Sequence, residues 1–294
     1  MKGIILAGGQ GTRLYPLTAA LNKHLLPVYN KPMIYYPLSV LMLAGIREIL
    51  IISRPDDMPY FQKMLADGSQ WGLQLQYAAQ AQPNGIAEAL IIGEKFIGDG
   101  TVSLTLGDNI FYGSMLTDRL RQAALISHGA LVYAYRIMNP KGYAVLDFSR
   151  NPDGTILPHS IEEKPAKPKS TFAIPGLYFY DNQVVEMVKS LKPSPRGELE
   201  ITDINNLYLK QGRLVVEDLG RGVAWLDAGT HETLFQAATF VQAVEERQGM
   251  MISCPEEIAY RLGYISAATL SSLLERLPNN PYKQYLLTLV AGSL

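Results

Sequence analysis

The stretch Ile4-Ile5-Leu6-Ala7-Gly8-Gly9-Gln10-Gly11-Thr12-Arg13-Leu14 passes from an unbroken apolar run into a loop with three glycines that ends on an arginine. An apolar run without polar alternation predicts a strand buried on both faces, as in a central parallel sheet. The glycines let bare backbone N–H groups turn toward an anion where a Cβ would intrude, and Arg13 adds a planar cationic fork at the rim. Two common phosphate cradles are excluded by spacing. A P-loop needs Gly-Lys-Ser/Thr where Thr12-Arg13 follows Gly11, and a dinucleotide fingerprint needs a glycine where Leu14 stands. The remaining readings are a phosphate turn of another type and a plain strand-to-helix turn with a solvent-facing Arg.

Outward from this loop, short apolar runs alternate with amphipathic stretches, the order of parallel strands joined by helical crossovers. Strands are predicted near 3–7, 48–53, 75–78, 102–106 and 131–135, with helices near 32–44, 58–65, 86–96 and 116–127. The class is therefore α/β, a Rossmann-like, mostly parallel central sheet flanked by helices. After Arg136 the rhythm changes: 144–148 and 156–162, separated by Asn151-Pro152-Asp153-Gly154, predict an antiparallel hairpin added to the sheet. From about residue 237 the pattern is helical. The expected organisation is an α/β domain over 1–236, with a nucleotide-binding part over 1–136 and a second binding part over 137–236, and a helical region over 237–294.

Composition narrows the class. A chain of 294 residues with 48% hydrophobic content supplies a sizeable core, and a net charge of −1 implies neither nucleic acid nor an anionic membrane surface as partner. The single Cys254 excludes an internal disulfide framework. No signal peptide and no apolar run of membrane-spanning length is evident, so a cytoplasmic protein is expected. With no basic residue beside it, Cys254 reads as a packed thiol. The scattered His24, His128, His159 and His231 suggest neither a triad nor a zinc site.

Ligands of an open parallel sheet bind beyond the carboxyl ends of the strands, so the residues closing each strand are the candidates. Lys23 joins Arg13 as a second cation in one loop system, as a triphosphate requires. Gln80 follows a strand, and Pro83-Asn84-Gly85 opens a helix; an amide there can pair with a base edge, or can simply sit beside a helix cap. Asp108, in Leu106-Gly107-Asp108-Asn109, and Asp227, in Trp225-Leu226-Asp227-Ala228, each end a strand with a carboxylate. The pair can hold Mg²⁺ while substrate phosphates complete the octahedron, or each can cap a turn.

The loop Gly8-Gly9-Gln10-Gly11-Thr12-Arg13, followed by Lys23 and Leu26-Pro27, resembles the signature of the sugar-nucleotide pyrophosphorylases, also called nucleotidylyltransferases. Residues 31–46 are similar to the branch that uses dTTP, and the likeness runs from residue 1 to about 289. The resemblance implies transfer of a deoxythymidylyl group from dTTP to α-D-glucose 1-phosphate with Mg²⁺ as cofactor, by in-line attack and without a covalent intermediate, as the first step toward dTDP-deoxysugars. It assigns the nucleotide to Leu6, Gly8, Gly9, Gly11, Thr12 and Arg13, with Gln80, Pro83 and Gly85 at the base and Asp108 at the phosphates. It assigns the sugar phosphate to Tyr143, Ala144, Glu163, Lys164, Ile174 and Gly176, the metal to Asp108 and Asp227, and catalysis to Arg13, Lys23 and Lys164. The stretches 254–259 and 282–287 resemble the family's helical region, which packs a homotetramer and helps form a second nucleotide site for feedback.

Departures from the family pattern gather around the sugar. The usual Arg-Tyr-Gly reads Gly142-Tyr143-Ala144, Val-Thr-Gly reads Ile174-Pro175-Gly176, and Asp-Thr-Gly-Thr reads Asp227-Ala228-Gly229-Thr230. Gln-Pro-Ser-Pro-Asp-Gly reads Gln80-Ala81-Gln82-Pro83-Asn84-Gly85. Ala144 adds a methyl and Pro175 lacks an N–H, so an altered sugar preference stands beside glucose 1-phosphate. Two further readings remain: the same chemistry with UTP, CTP or ATP and another sugar phosphate, and a catalytically weak nucleotide-binding regulator.

Overall fold

The computed structural model describes residues 1–292, so Ser293 and Leu294 of the 237–294 region lie outside the described residues. The first half of the chain carries β1 (Lys2–Ala7), β2 (Pro27–Val28), β3 (Lys31–Pro32), β4 (Glu48–Ser53), β5 (Gln74–Ala79), β6 (Val102–Leu106) and β7 (Asn109–Gly113). The second carries β8 (Ala130–Arg136), β9 (Ala144–Arg150), β10 (Ile156–Glu163), β11 (Phe172–Ala173), β12 (Leu177–Tyr180), β13 (Leu214–Asp218) and β14 (Val223–Asp227). The fold is the α/β class read from the sequence, a large, mostly parallel central sheet flanked by helices with a helical C-terminal region.

The sheet has ten strands in the order β10-β9-β11-β8-β12-β6-β1-β4-β5, with β13 also on β8. Strand β1 lies at its heart, parallel to β4 and β6, with Ile4 beside both Leu50 and Leu104. Alternate residues of these strands face opposite cores: Ile5, Ile49 and Ile51 pack under one set of helices, Ile4, Leu50 and Ile52 under the other. Burial on both faces is why these strands read as continuous apolar runs. Antiparallel pairing extends beyond the β9–β10 hairpin, since β12 also runs antiparallel to β6 and β8. The hairpin register shifts between Pro158 and Ser160, so His159 sits at a bulge.

Several boundaries differ from expectation for local reasons. The helix expected over 32–44 is Tyr35–Leu43, because Lys31 and Pro32 first pair with Val28 and Pro27 in a short ribbon; a residue before proline disfavours the helical region. The helix expected over 86–96 is two pieces, Glu88–Ile92 and Glu94–Ile97, which meet at Gly93. A Cβ at Gly93 would stand 2.7 Å from Ile4 Cδ1, so the glycine lets the helix lie close on β1. The helix expected over 116–127 ends at Ala123.

The final helical series begins at His231, six residues before the expected start, with His231–Gln248 followed by Pro255–Arg261, Ala267–Arg276 and Pro281–Val290. Thr230 and Thr233 cap the long helix reciprocally, and Gly249, at φ 66°, ends it. That helix packs over β7 and β14 around Ile110, Ala237 and Val241, a third, smaller core. Cys254 is buried, and burial beside Glu256 pushes its thiol up, as a packed thiol requires. No helix among the described residues is long and apolar enough to cross a membrane.

Candidate active site

A cleft of about 650 Å³ opens beyond the carboxyl ends of β1 and β6 and under β9, β10 and β12. Of the residues singled out in the sequence, Arg13, Asp108, Tyr143, Ala144, Glu163 and Lys164 line it, as do Ile174, Gly176 and Asp227. The cleft lies beside the point where strand order reverses, with β4 on one side of β1 and β6 on the other.

The acidic pair is built by strand pairing. Strands β7 and β14 run antiparallel with Asn109 opposite Asp227, and the Ala228 N–H donates to the Asp108 carbonyl at 3.0 Å. Both carboxylates consequently enter the cleft from adjacent strands. Lys23 is ion-paired with Asp108 Oδ2, and the Asn109 amide donates to Asp108 Oδ1 at 2.9 Å. Burial opposes ionisation of Asp108, but the Lys23 charge and hydrogen bond, the His24 charge and the Asn109 amide together hold the carboxyl well below the usual range. Asp227 behaves oppositely: burial and the charge of Asp108 push its carboxyl up against the pull of Arg13. Two carboxylates converging on one cleft are an oxygen donor set whose chemistry suits a hard cation such as Mg²⁺.

Around the pair, Arg13 rests against the chain at Gly229, where an added Cβ would stand 2.7 Å from Nη2. Burial and the Asp227 charge raise the Tyr143 phenol, so that group stays protonated. Glu163 Oε2 accepts from the Thr202 hydroxyl at 2.5 Å, and its other oxygen lies 3.6 Å from Lys164 and 3.5 Å from Arg196. Lys164 has φ 44°, a costly left-handed conformation for a lysine, and its N–H is held by the Tyr143 carbonyl at 3.1 Å.

The glycine loop and the base candidates form the adjoining lip. Leu6 pairs with Leu106 at the cleft, and its carbonyl accepts from Gly107 at 3.0 Å. Gly8 abuts Gln80, whose Oε1 would stand 2.8 Å from a Cβ there; Gly9 faces Lys23, and Gly11 adopts φ 65°. Gly85 has φ 108°, and a Cβ would meet the Leu199 carbonyl at 2.4 Å. The Gln80 amide nitrogen is already engaged, donating to Glu88 at 2.7 Å and to the Gly85 carbonyl at 3.2 Å. Only Oε1 is left to meet a ligand. Thr12 and Pro83 are exposed, and no hydrogen bond among the described residues ties their side chains to the cleft.

Sequence reasoning gave no role to several residues that shape this site. Asn109 Oδ1 accepts from the Gly176 N–H at 3.0 Å and from Trp225 Nε1 at 2.7 Å, so one amide joins three walls. Trp225 in turn packs edge-on against Tyr143, ring centres 5.1 Å apart. Glu88 orients both Gln80 and Asn84. Asn109 follows Asp108 directly, which was its only local signal; Glu88 and Thr202 act through contacts that no spacing announces. Beneath the acidic pair, the ring of His24 packs on Gly107 and meets the Asn22 amide oxygen at 2.7 Å; burial pulls the imidazole down to about 3.

Comparison with known proteins gives a consistent result. A family model described as nucleotidyl transferase matches residues 2–244. The glucose-1-phosphate thymidylyltransferase of Neisseria meningitidis is 57% identical over 290 residues, covering 99% of each chain. That of Mycobacterium tuberculosis is 52% identical over 290 residues, again 99% of each. Among solved structures, a candidate glucose-1-phosphate thymidylyltransferase from Bacillus anthracis in complex with sucrose superposes with a TM-score of 0.75 at 41% identity, covering 82% of this chain and 94% of its own. A UDP-glucose pyrophosphorylase complexed with UDP-glucose, at 22% identity and TM-score 0.72 over 83% of this chain and 98% of its own, shares the fold.

Proposed function

The chain belongs to the nucleotidyl transferase family, in its glucose-1-phosphate thymidylyltransferase branch, and on that premise we propose that it transfers the deoxythymidylyl group of dTTP to α-D-glucose 1-phosphate, forming dTDP-glucose and pyrophosphate. The observation that carries this reading is the single cleft in which a cationic glycine loop, a strand-end carboxylate pair and the Glu163–Lys164 hairpin end converge.

In-line displacement needs little covalent help from the protein, because the sugar phosphate is already an anionic nucleophile and pyrophosphate leaves as an anion. Positioning and charge neutralisation are the tasks left to the chain. Lys164 would hold the attacking phosphate and Glu163 the sugar hydroxyls, its carboxylate fixed by Thr202. Arg13 would gather charge on the leaving pyrophosphate. Asp108 and Asp227 would hold Mg²⁺, which when bound neutralises phosphate charge and orients the transferring group. Lys23 holds Asp108 ionised before that, and would turn to the nucleotide phosphates. Gln80, with its nitrogen tied to Glu88, offers only an acceptor. That suits the N3–H of thymine or uracil, whereas cytosine presents an acceptor at N3 and could meet it only through its N4 amino group.

A second reading, the same transfer to a different hexose 1-phosphate, is favoured by the Ala144 methyl on the cleft wall. The binding-only alternative has no observation in its favour. The branch further implies a homotetramer in the cytoplasm and supply of dTDP-deoxysugar synthesis, which size-exclusion chromatography with light scattering and product analysis would check. The direct test is pyrophosphate release with Mg²⁺, glucose 1-phosphate and each of dTTP, UTP, CTP and ATP, with Asp108→Asn as control. Fastest release with dTTP, lost in the variant, is expected. Release only with another hexose phosphate transfers the reading to the second alternative, and faster release with CTP sinks the Gln80 argument.

A further inference from the structure

The segment 10–21 carries Arg13 out over the cleft, exposing Tyr15, Leu17 and Leu21 to solvent. Its own bonds are local: Leu14 N–H to the Gly11 carbonyl at 2.9 Å, Leu17 to Leu14 at 2.8 Å, and the Thr18 hydroxyl to Gly11 at 2.9 Å. Among the described residues one hydrogen bond leaves this segment. His231 Nε2, 216 positions away, donates to the Tyr15 carbonyl at 3.0 Å. The donor stands at the first position of the helix His231–Gln248, a place fixed by the Thr230–Thr233 cap.

Two residues earlier, Gly229 presents bare backbone to the Arg13 guanidinium. Two before that, Asp227 offers its carboxylate to the cleft. The strand end, the glycine and the helix start thus form one rail of five residues, 227–231, and the Arg13 loop touches it twice. We propose that His231 is a positioning residue that latches the Arg13 loop onto this rail, so that the guanidinium is set beside the carboxylate pair before substrate arrives. The kinetic consequence rests on the nucleotidyl-transfer reading; the latch itself does not.

An exposed loop held by one apolar anchor, the fully buried Leu14, and one hydrogen bond samples open conformers once that bond is removed. Each open conformer misplaces Arg13, so catalysis falls although His231 does not line the cleft. Both the neutral Nε2–H tautomer and the imidazolium donate at Nε2, and a glutamine amide reaches the same position. A latch therefore has a rescue that a packing role lacks.

The test compares the full-length protein with His231→Ala and His231→Gln. Three quantities are read: tryptic cleavage after Arg13, the melting temperature, and kcat and KM for dTTP in pyrophosphate release. The alanine variant is expected to keep the melting temperature, to be cut faster after Arg13 but not at other sites, and to lose roughly five- to tenfold in kcat/KM for dTTP, the scale of one hydrogen bond. Glutamine is expected to restore both. Equal cleavage after Arg13 in the alanine variant and the wild type overturns the latch. So does a lowered melting temperature with general cleavage that glutamine does not restore, which would assign His231 to structure. If the wild type fails to turn over dTTP while the cleavage difference persists, the catalytic reading falls and the latch stands.

Discussion

Lys23 is ion-paired with Asp108 in the floor of the cleft, with only 14% and 12% of the two side chains exposed. A cation this shielded is a fixed part of the site's charge, since each partner is costly to bury without the other. Lys23→Met should therefore leave Asp108 uncompensated, raise its pKa and lower kcat/KM for dTTP by about 10²-fold or more, the range seen when one preorganised charge-stabilising group is removed. Lys23→Arg should recover only part, because the planar fork does not reproduce a compact ammonium. Steady-state pyrophosphate release decides it: a methionine variant within threefold of wild type would remove Lys23 from the mechanism.

Asn109 is predicted to be as important to stability as to catalysis. Asn109→Leu keeps the branched shape but orphans the Gly176 N–H and Trp225 Nε1, both of which it accepts from at present. Leaving two donors unpaired in a buried site costs about 2–6 kcal/mol, to be read from urea midpoints. Because Trp225 packs on Tyr143, KM for the sugar phosphate should rise more than KM for dTTP.

These two residues mark the limit of what the sequence conveyed. Strand ends are legible because an apolar run stops at a residue that must be polar, and Asp108 and Asp227 stand at such ends. The glycine loop was legible because its spacing fails the commoner cradles. Asn109 was not, since its importance comes from β14 arriving alongside β7 more than a hundred residues later. Nor was the fate of the Gln80 amide, which depends on Glu88 eight residues onward, across the intervening loop. Short strands such as β11, β12 and β13 escaped for a similar reason: only their partners in the sheet distinguish them from loops.

The buried pair of Lys31 and Glu245, 2.7 Å apart with 1% and 7% of the side chains exposed, ties the loop before the helix Tyr35–Leu43 to the helix His231–Gln248. Glu245 also accepts from Asn30 and the Ile252 N–H. Lys31→Met strands the carboxylate and is expected to destabilise by about 3–5 kcal/mol. The double variant Lys31→Met with Glu245→Leu should be more stable than the single one, because no charge is left buried. Denaturant unfolding of the three proteins tests the order. Equal stability of the single variant and the wild type would show that water reaches the pair.

His24 should make the fold acid-sensitive in a defined window. Its imidazole is pulled from 6.5 to about 3 by burial, with Lys23 adding to the effect. In the unfolded chain the same group titrates near its ordinary value, about 6.5. Between these values the unfolded state binds a proton that the folded state refuses. Stability from this residue is therefore complete above about pH 6.5 and declines as pH falls toward 3, at up to about 1.4 kcal/mol per pH unit. Asp57, held down by Arg54 and Asn22 against its burial, contributes only once pH falls below the ordinary carboxylate range. Asp227, Asp203 and Glu217, whose carboxyls burial pushes up, also bear on the interval from pH 6.5 to 4.5, so the histidine is isolated by comparing two proteins that share those groups. His24→Asn retains a donor for the Asn22 oxygen and has no proton to gain, so its unfolding free energy should lose less over that interval than that of the wild type. Parallel slopes for the two proteins would mean that the folded state admits the proton, and that the layer beneath the acidic pair is wetter than its burial implies.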